Sequence, residues 1–492
     1  MDYPDGATGP VPGGRDRFAF AAWLFLRLLA LIHLIAFASF WMQFGGLIGP
    51  HGLLPAARYF EAVHTQLGTG AWLQLPSLCW VFGADRFLHV LCAAGIALSL
   101  LLFAGVAPAL CLTLLWACYL SLVAAGQIFF SFQWDALLLE TTLLAIFLAP
   151  WSLSPLWRRI EPPRVARWLL WWLLFRLMFL SGAVKLTSGD PVWRNLTALA
   201  FHYETQPLPT AFAWYVHQFP QWFQRASCAI MFLIELPVPF LIFAPRALRH
   251  LAALLIAGFM VLIFLTGNYT FFNLLTMALC VLCLDDAWWA RVLRRPPAAV
   301  SSARSVPRWL LAPVAIFVAL FTLVQASSSL TRSAGLPSAY WAVERVVGPF
   351  RSLNNYGLFA VMTTTRPELI IEGSNDGREW LAYEFPHKPG DLARRPDFVA
   401  PFQPRLDWQL WFAALESPDQ NPWVLTLCAH LLRGTPEVLA AFARNPFSGA
   451  PPRFIRVIRF EYRFTDAAER ARNGHWWRRT PLDYYVEPIS LH

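Results

Sequence analysis

Apolar runs long enough to cross a membrane recur along the first two-thirds of this 492-residue chain. They cover residues 20–41, 87–105, 108–125, 134–150, 165–184, 226–244, 250–266, 270–284 and 309–324. About 20 helical residues span a hydrocarbon core, and only helices or closed barrels satisfy every backbone polar group there. The expected fold is therefore a polytopic α-helical bundle of about nine transmembrane helices. The eighth run is short. The second and third are joined by almost no loop, as in a helical hairpin.

Charge sets the expected orientation. Only 14% of residues are charged and 57% are hydrophobic, whereas a soluble domain carries about 25% charged residues. The 24 Trp and 40 Phe suit membrane interiors and interfacial belts. The net charge of +9 is carried almost wholly by Arg, which clusters between the apolar runs. This reads as a topology signal, not as a nucleic-acid surface. With nine spans and a cytoplasmic N-terminus, the cytoplasmic segments hold Arg15, Arg17, Arg158, Arg159, Arg164, Arg167, Arg246, Arg249, Arg291, Arg294, Arg295, Arg304 and Arg308. The opposite loops hold Arg58, Arg86, Lys185, Arg194 and Arg225. Thirteen against five follows the positive-inside rule. The first run is too long for a signal-peptide core and lacks a suitable cleavage site, so it is expected to be an uncleaved anchor.

Three regions result: a cytoplasmic tail at 1–19, a membrane domain at 20–326 with polar loops at 45–86 and 185–225, and a non-cytoplasmic domain at 327–492. The 45–86 loop carries apolar patches suited to short interfacial helices. The segment 291–307, basic and rich in Pro and Ser, is a linker. In the last region, ELIIEG (368–373), the turn formers Ser374 to Gly377 and REWLAYEF (378–385) spell a β-hairpin. FIRVIRFEYRF (454–464) alternates as a half-exposed strand does. Residues 408–415, 423–432 and 436–444 have a helical pattern, giving a strand-rich α+β, sandwich-like domain.

Chemistry-bearing residues concentrate in two places. Inside the apolar runs lie Asp135, Glu140, Arg176 and Glu235, with Arg27 and His33 in the first run. Buried ionisable groups need partners or a wet cavity. Helix-tying ion pairs, such as Arg176 with Glu140 or Glu235, and an enclosed polar cavity both satisfy that need. Asp135 also stands in a first helical turn, where the helix dipole favours an acid. The second place is GAVKLTSGDPVWRNLTALAFHYETQPLP (182–209), at the edge of the fifth run. It holds Lys185, one of only two lysines, then Trp193, Arg194, His202, Tyr203, Glu204, Thr205, Gln206 and Pro207. Lys185 reads equally as an interfacial anchor or as a functional group. Pro207 and Pro209 stop a helix there, and the loop residues are binding candidates. Of the eight cysteines, only Cys428 lies in the C-terminal region, and the Cys280/Cys283 pair has no second pair or His nearby. No metal site or cofactor is expected.

Several segments together resemble the lipase maturation factor family. They are QFGGLIGPHGLLPA (43–56), SFQWDALLLET (131–141), FHYETQPLP (201–209), TGNYTFFNLLTMALCVLCLDD (266–286) and PFRSLNNYGLFAVMTTTRPELIIEGSNDGREW (349–380), in family order. The resemblance implies a membrane protein that helps secreted lipases fold and assemble, working on the non-cytoplasmic side. That side is the periplasm for a bacterial inner-membrane protein and the endoplasmic reticulum lumen for a eukaryotic one. The implied partners are the lipid bilayer and secreted lipase clients, with the oligomeric state open. No GxSxG, HExxH or Walker A sequence occurs, so the chain is not itself expected to be a lipase. SGAVKL followed by an acid and Trp193 is also similar to a segment of the vitamin K-dependent γ-glutamyl carboxylases. That similarity implies a membrane-embedded enzyme in which Lys185 is a general base.

Overall fold

A computed structural model describes residues 16–153, 159–294, 300–301, 307–331 and 335–491. Arg15, Arg158, Arg295 and Arg304 of the expected topology signal lie outside the described residues, as does much of the 291–307 linker. Seven helices are long and apolar enough to cross a membrane, or eight if one bent pair counts as a span. We label the bundle helices α1 (Ala19–Trp41), α2 (Asp85–Ala104), α3 (Pro108–Ala125), α4 (Gln133–Leu148), α5 (Arg164–Thr187), α6 (Gln221–Glu235), α7 (Arg246–Thr266), α8 (Phe272–Val281) and α9 (Arg308–Thr331). Helix α6 continues as a 3₁₀ turn over Val238–Phe243.

The two segments below span length are α4, with 16 residues, and α8, with ten. Both are buried along most of their length. Neighbouring helices, not lipid, surround them, which removes the need for a full hydrocarbon length. After α8 the chain turns by 104° into Asp286–Leu293.

Contacts between helix ends sort the bundle into two faces. On one, Asp286 caps the start of α1, accepting from the Ala19 and Phe20 amides at 3.1 and 2.9 Å. Arg249 pairs with Asp16 at 2.8 Å, Arg246 pairs with Asp285 at 2.6 Å, and Glu161 accepts from the Phe18 amide at 3.0 Å. Arg167 and Arg159 stack on Phe18 and Phe20, with guanidinium-to-ring distances of 3.8 and 4.4 Å. Residues 159–160 and 300–301 pair as a short parallel bridge at this arginine-rich face. The opposite face carries the C-terminal domain. Among the described residues the span-length helices number seven or eight and not the nine expected, because the 16-residue α4 is too short to count.

The C-terminal domain has one antiparallel sheet, ordered β2-β1-β3-β4, with β1 Pro367–Ser374, β2 Leu381–Ala382, β3 Phe454–Phe464 and β4 Trp477–Ile489. The hairpin turns where its pattern puts it, with Gly373 opposite Leu381, but its second arm, expected over 378–385, pairs only at Leu381–Ala382, while the alternating strand covers 454–464 as expected. A sandwich-like pair of sheets is not what covers this sheet. Helices α10 (Arg405–Leu415) and α11 (Trp423–Arg433) pack there instead. The expected helix at 436–444 is reduced to Pro436–Leu439.

Part of the chain before the sheet returns into the bundle. Residues 352–356 reach the middle of α3, α4 and α5, where Trp116 donates to Ser352 at 2.8 Å. Non-helical backbone at that depth requires buried polar partners. Glu140 and Arg176 supply them.

Candidate functional site

The intramembrane charges form three buried pairs, each tying different elements. Glu140 pairs with Arg176 and accepts from the Asn354 amide at 3.0 Å and the Tyr356 hydroxyl at 2.7 Å. Arg176 returns a bond to the Asn354 carbonyl at 2.8 Å. Asp135, in the first turn of α4, receives both guanidinium nitrogens of Arg405 at 3.0 Å and the Tyr119 hydroxyl at 2.5 Å. Arg405 lies over Phe130 at 3.6 Å. Lys185 donates to both oxygens of Glu235 at 2.8 and 2.7 Å, with both side chains about 7% exposed or less. His33 is bonded to Thr142 at 2.8 Å, while Arg27 lies over Trp23 at 4.7 Å.

The FHYETQPLP segment is built as a clasp between bundle and sheet. A short helix, Leu199–Thr205, ends at the proline-bearing stretch and leaves its last carbonyls without helical partners. Arg366, just before β1, gathers them: it donates to the carbonyls of Glu204 at 2.6 Å, Pro207 at 2.8 Å and Gln206, and to Glu368 at 2.7 Å. Trp411 of α10 donates to the Thr205 carbonyl at 2.9 Å. The Glu204 carboxylate accepts from the Phe464 amide at 3.0 Å, and Gln206 donates to the Thr266 carbonyl at 2.9 Å. Gly267 packs closely beside it, so that a Cβ there would lie 2.1 Å from the Gln206 side-chain oxygen and displace it. Glu204, Thr205, Gln206 and Pro207 thus join the clasp through backbone and side chain alike.

Trp193, His202 and Tyr203 face the other way, into a cavity of about 420 Å³ beside Lys185 and Glu235. Its wall is largely apolar, formed by α5, α6 and α7. The Trp193 ring lies 5.3 Å from the Lys185 ammonium, and its indole N–H donates to Phe359 at 2.9 Å. His202 Nε2 is 3.3 Å from the Tyr269 hydroxyl, which donates to Gln206 at 3.0 Å. Burial, and then the Lys185 charge, lower the His202 pKa to about 4, so the ring is neutral at neutral pH. Arg194 sits at the exposed rim, 3.5 Å from the Leu186 carbonyl.

Residues 20–291 match the lipase maturation factor transmembrane domain, and residues 352–487 match the lipase maturation factor C-terminal domain. The chain belongs to the lipase maturation factor family. Lipase maturation factor 2 of Homo sapiens is 36% identical over 595 aligned residues, covering 95% of this chain and 82% of that protein. Lipase maturation factor 1 of Mus musculus is 35% identical over 518 residues, covering 99% and 90%. That of Bos taurus is 36% identical over 495 residues, covering 94% and 88%. No solved structure gives a significant match.

In this chain, most of the residues that organise the site were not singled out by sequence pattern. Arg366, Arg405, Tyr269, Asn354 and Tyr356 look like ordinary loop or helix-edge residues until the fold brings their partners near. Asn268 opens an Asn-Tyr-Thr glycosylation triplet, yet it is 2% exposed and donates to Leu208 at 3.1 Å and Asp397 at 2.9 Å. It also accepts from the amides of Val399 and Ala400 at 2.7 and 3.0 Å. A glycan has no room there. Both lysines of the chain are spent on buried pairs, Lys185 with Glu235 and Lys388 with Glu368 at 3.0 Å. An ammonium has no lone pair, so Lys185 must first lose a proton before it can accept one. All eight cysteines are free and buried, and among the described residues no cluster has metal-ligand composition.

Proposed function

We propose that this protein assists the folding and assembly of exported lipases on the membrane face that carries its C-terminal domain. The similarity to lipase maturation factors through both domains carries the reading. The geometry supports it in kind. Ion pairs and the clasp hold a large surface at one membrane face. Gly46 of the GGLIGPHG stretch packs so closely on this domain that a Cβ would lie 2.4 Å from the Glu437 carbonyl oxygen. Phe398 and Phe412 are 50% and 37% exposed there, offering aromatic surface to a client that has not yet buried its own. In this reading Lys185 serves the bundle and not a reaction.

The test is co-expression with a secreted lipase from the same genome. Deleting this gene should cut active secreted lipase while leaving lipase transcript and total lipase antigen unchanged. Equal active yield with and without the gene would reject the proposal.

Orientation follows from the arginine-rich face, which we assign to the cytoplasm. The C-terminal domain then lies in the periplasm, or in the endoplasmic reticulum lumen of a eukaryote. A reporter joined at Gly335 should be active only if it matures outside the cytoplasm. Activity from a strictly cytoplasmic reporter at that position would reverse the assignment.

A further inference from the structure

The cavity beside Lys185 has a polar end and an apolar depth. Lys185, His202 and Tyr269 stand at the end nearest the C-terminal domain, and Leu177 and Met178 line the other. Eight residues of α5 separate Lys185 from Leu177, about 12 Å at 1.5 Å per residue. The volume of about 420 Å³ lies within the range of small-ligand sites, roughly 300–1,000 Å³. It opens sideways. Ile230 of α6 and Leu262 of α7 both line it and are 56% and 62% exposed, which puts its mouth on the lipid-facing side of the bundle. An ammonium has three N–H donors, and Glu235 takes two from Lys185. Among the described residues the third has no protein acceptor.

We propose that this cavity binds one acyl chain of a bilayer phospholipid. The chain enters laterally between α6 and α7, and its ester carbonyl accepts the third Lys185 N–H. A lateral mouth at hydrocarbon depth favours a molecule already in the leaflet over one arriving from water. A single acceptor at the membrane edge followed by an apolar channel matches an acyl ester. The inference does not depend on the lipase-assisting role.

The test uses full-length protein in nanodiscs doped with a phosphatidylcholine whose acyl chain carries a diazirine. After irradiation, adducts should concentrate on peptides containing residues 223–234 and 259–269. Ser227→Trp, which puts an indole into the cavity wall, should reduce them by roughly tenfold, equivalent to about 1.4 kcal/mol in affinity. Leu254→Trp, on the lipid-facing side of α7 but outside the cavity, should leave them unchanged. Leu262→Trp at the mouth replaces Ser227→Trp if the latter does not elute as a single folded species. Adducts spread evenly over lipid-facing side chains, or undiminished in the filled variants, would overturn the proposal. Labelling of the same peptides by a diazirine fatty acid but not by the phospholipid would overturn it too.

Discussion

Arg366→Ala should release the C-terminal sheet from the membrane bundle. The guanidinium is 1% exposed and carries the carbonyls of Glu204, Gln206 and Pro207 together with the Glu368 carboxylate. Its loss leaves those carbonyls unpaired and a buried carboxylate short of one partner. Removing one member of such a buried pair costs roughly 3–5 kcal/mol. The expected result is a lower unfolding midpoint in detergent and a C-terminal domain that becomes sensitive to protease while the bundle stays intact. Arg366→Lys should recover little, because an ammonium has no planar fork with which to reach several carbonyls at once. An unchanged midpoint and protease pattern in Arg366→Ala would mean that other contacts hold the domain and the clasp is incidental.

The Lys185–Glu235 pair separates the structural role of Lys185 from a catalytic one. Lys185→Met should destabilise the protein by roughly 3–5 kcal/mol, because Glu235 is left buried without a counter-charge. Adding Glu235→Leu removes the stranded carboxylate. The double variant should regain most of the stability, since apolar replacements of buried ion pairs are often neutral. Lipase yield per folded molecule should return with it. A double variant that folds normally yet gives no active lipase would show that the Lys185–Glu235 pair is needed for more than stability, and the purely structural reading would fail.

Sequence and structure contributed different parts of the account. Span positions, the arginine-rich face, the first hairpin and strand β3 were legible because each depends on local periodicity or on charge at the ends of apolar runs. Strand β4 was not. Its sequence, WRRTPLDYYVEPI, carries two prolines and no clean alternation, and its pairing depends on an edge offered by β3. The segment near Asn354 and Tyr356 escaped for a related reason. It is short and polar, and nothing local shows that it will enter the membrane domain. The carboxylate of Glu140, 214 residues away from Asn354 in sequence, and the guanidinium of Arg176 make burial of its backbone tolerable.

The sequence by itself determined that this chain is a multi-span helical membrane protein with a strand-rich C-terminal region, and it marked the ionisable residues that a membrane interior must neutralise. A bilayer imposes length, apolarity and charge asymmetry one segment at a time, so those properties are written locally. Which charges meet was decided only by the tertiary structure. Arg176 had two candidate acids and took Glu140, leaving Glu235 to Lys185, and Asp135 found Arg405 from a region outside the spans. Such choices depend on where helix ends and loops converge in three dimensions. The same convergence turned FHYETQPLP from a row of binding candidates into a clasp on one side and the wall of an apolar cavity on the other.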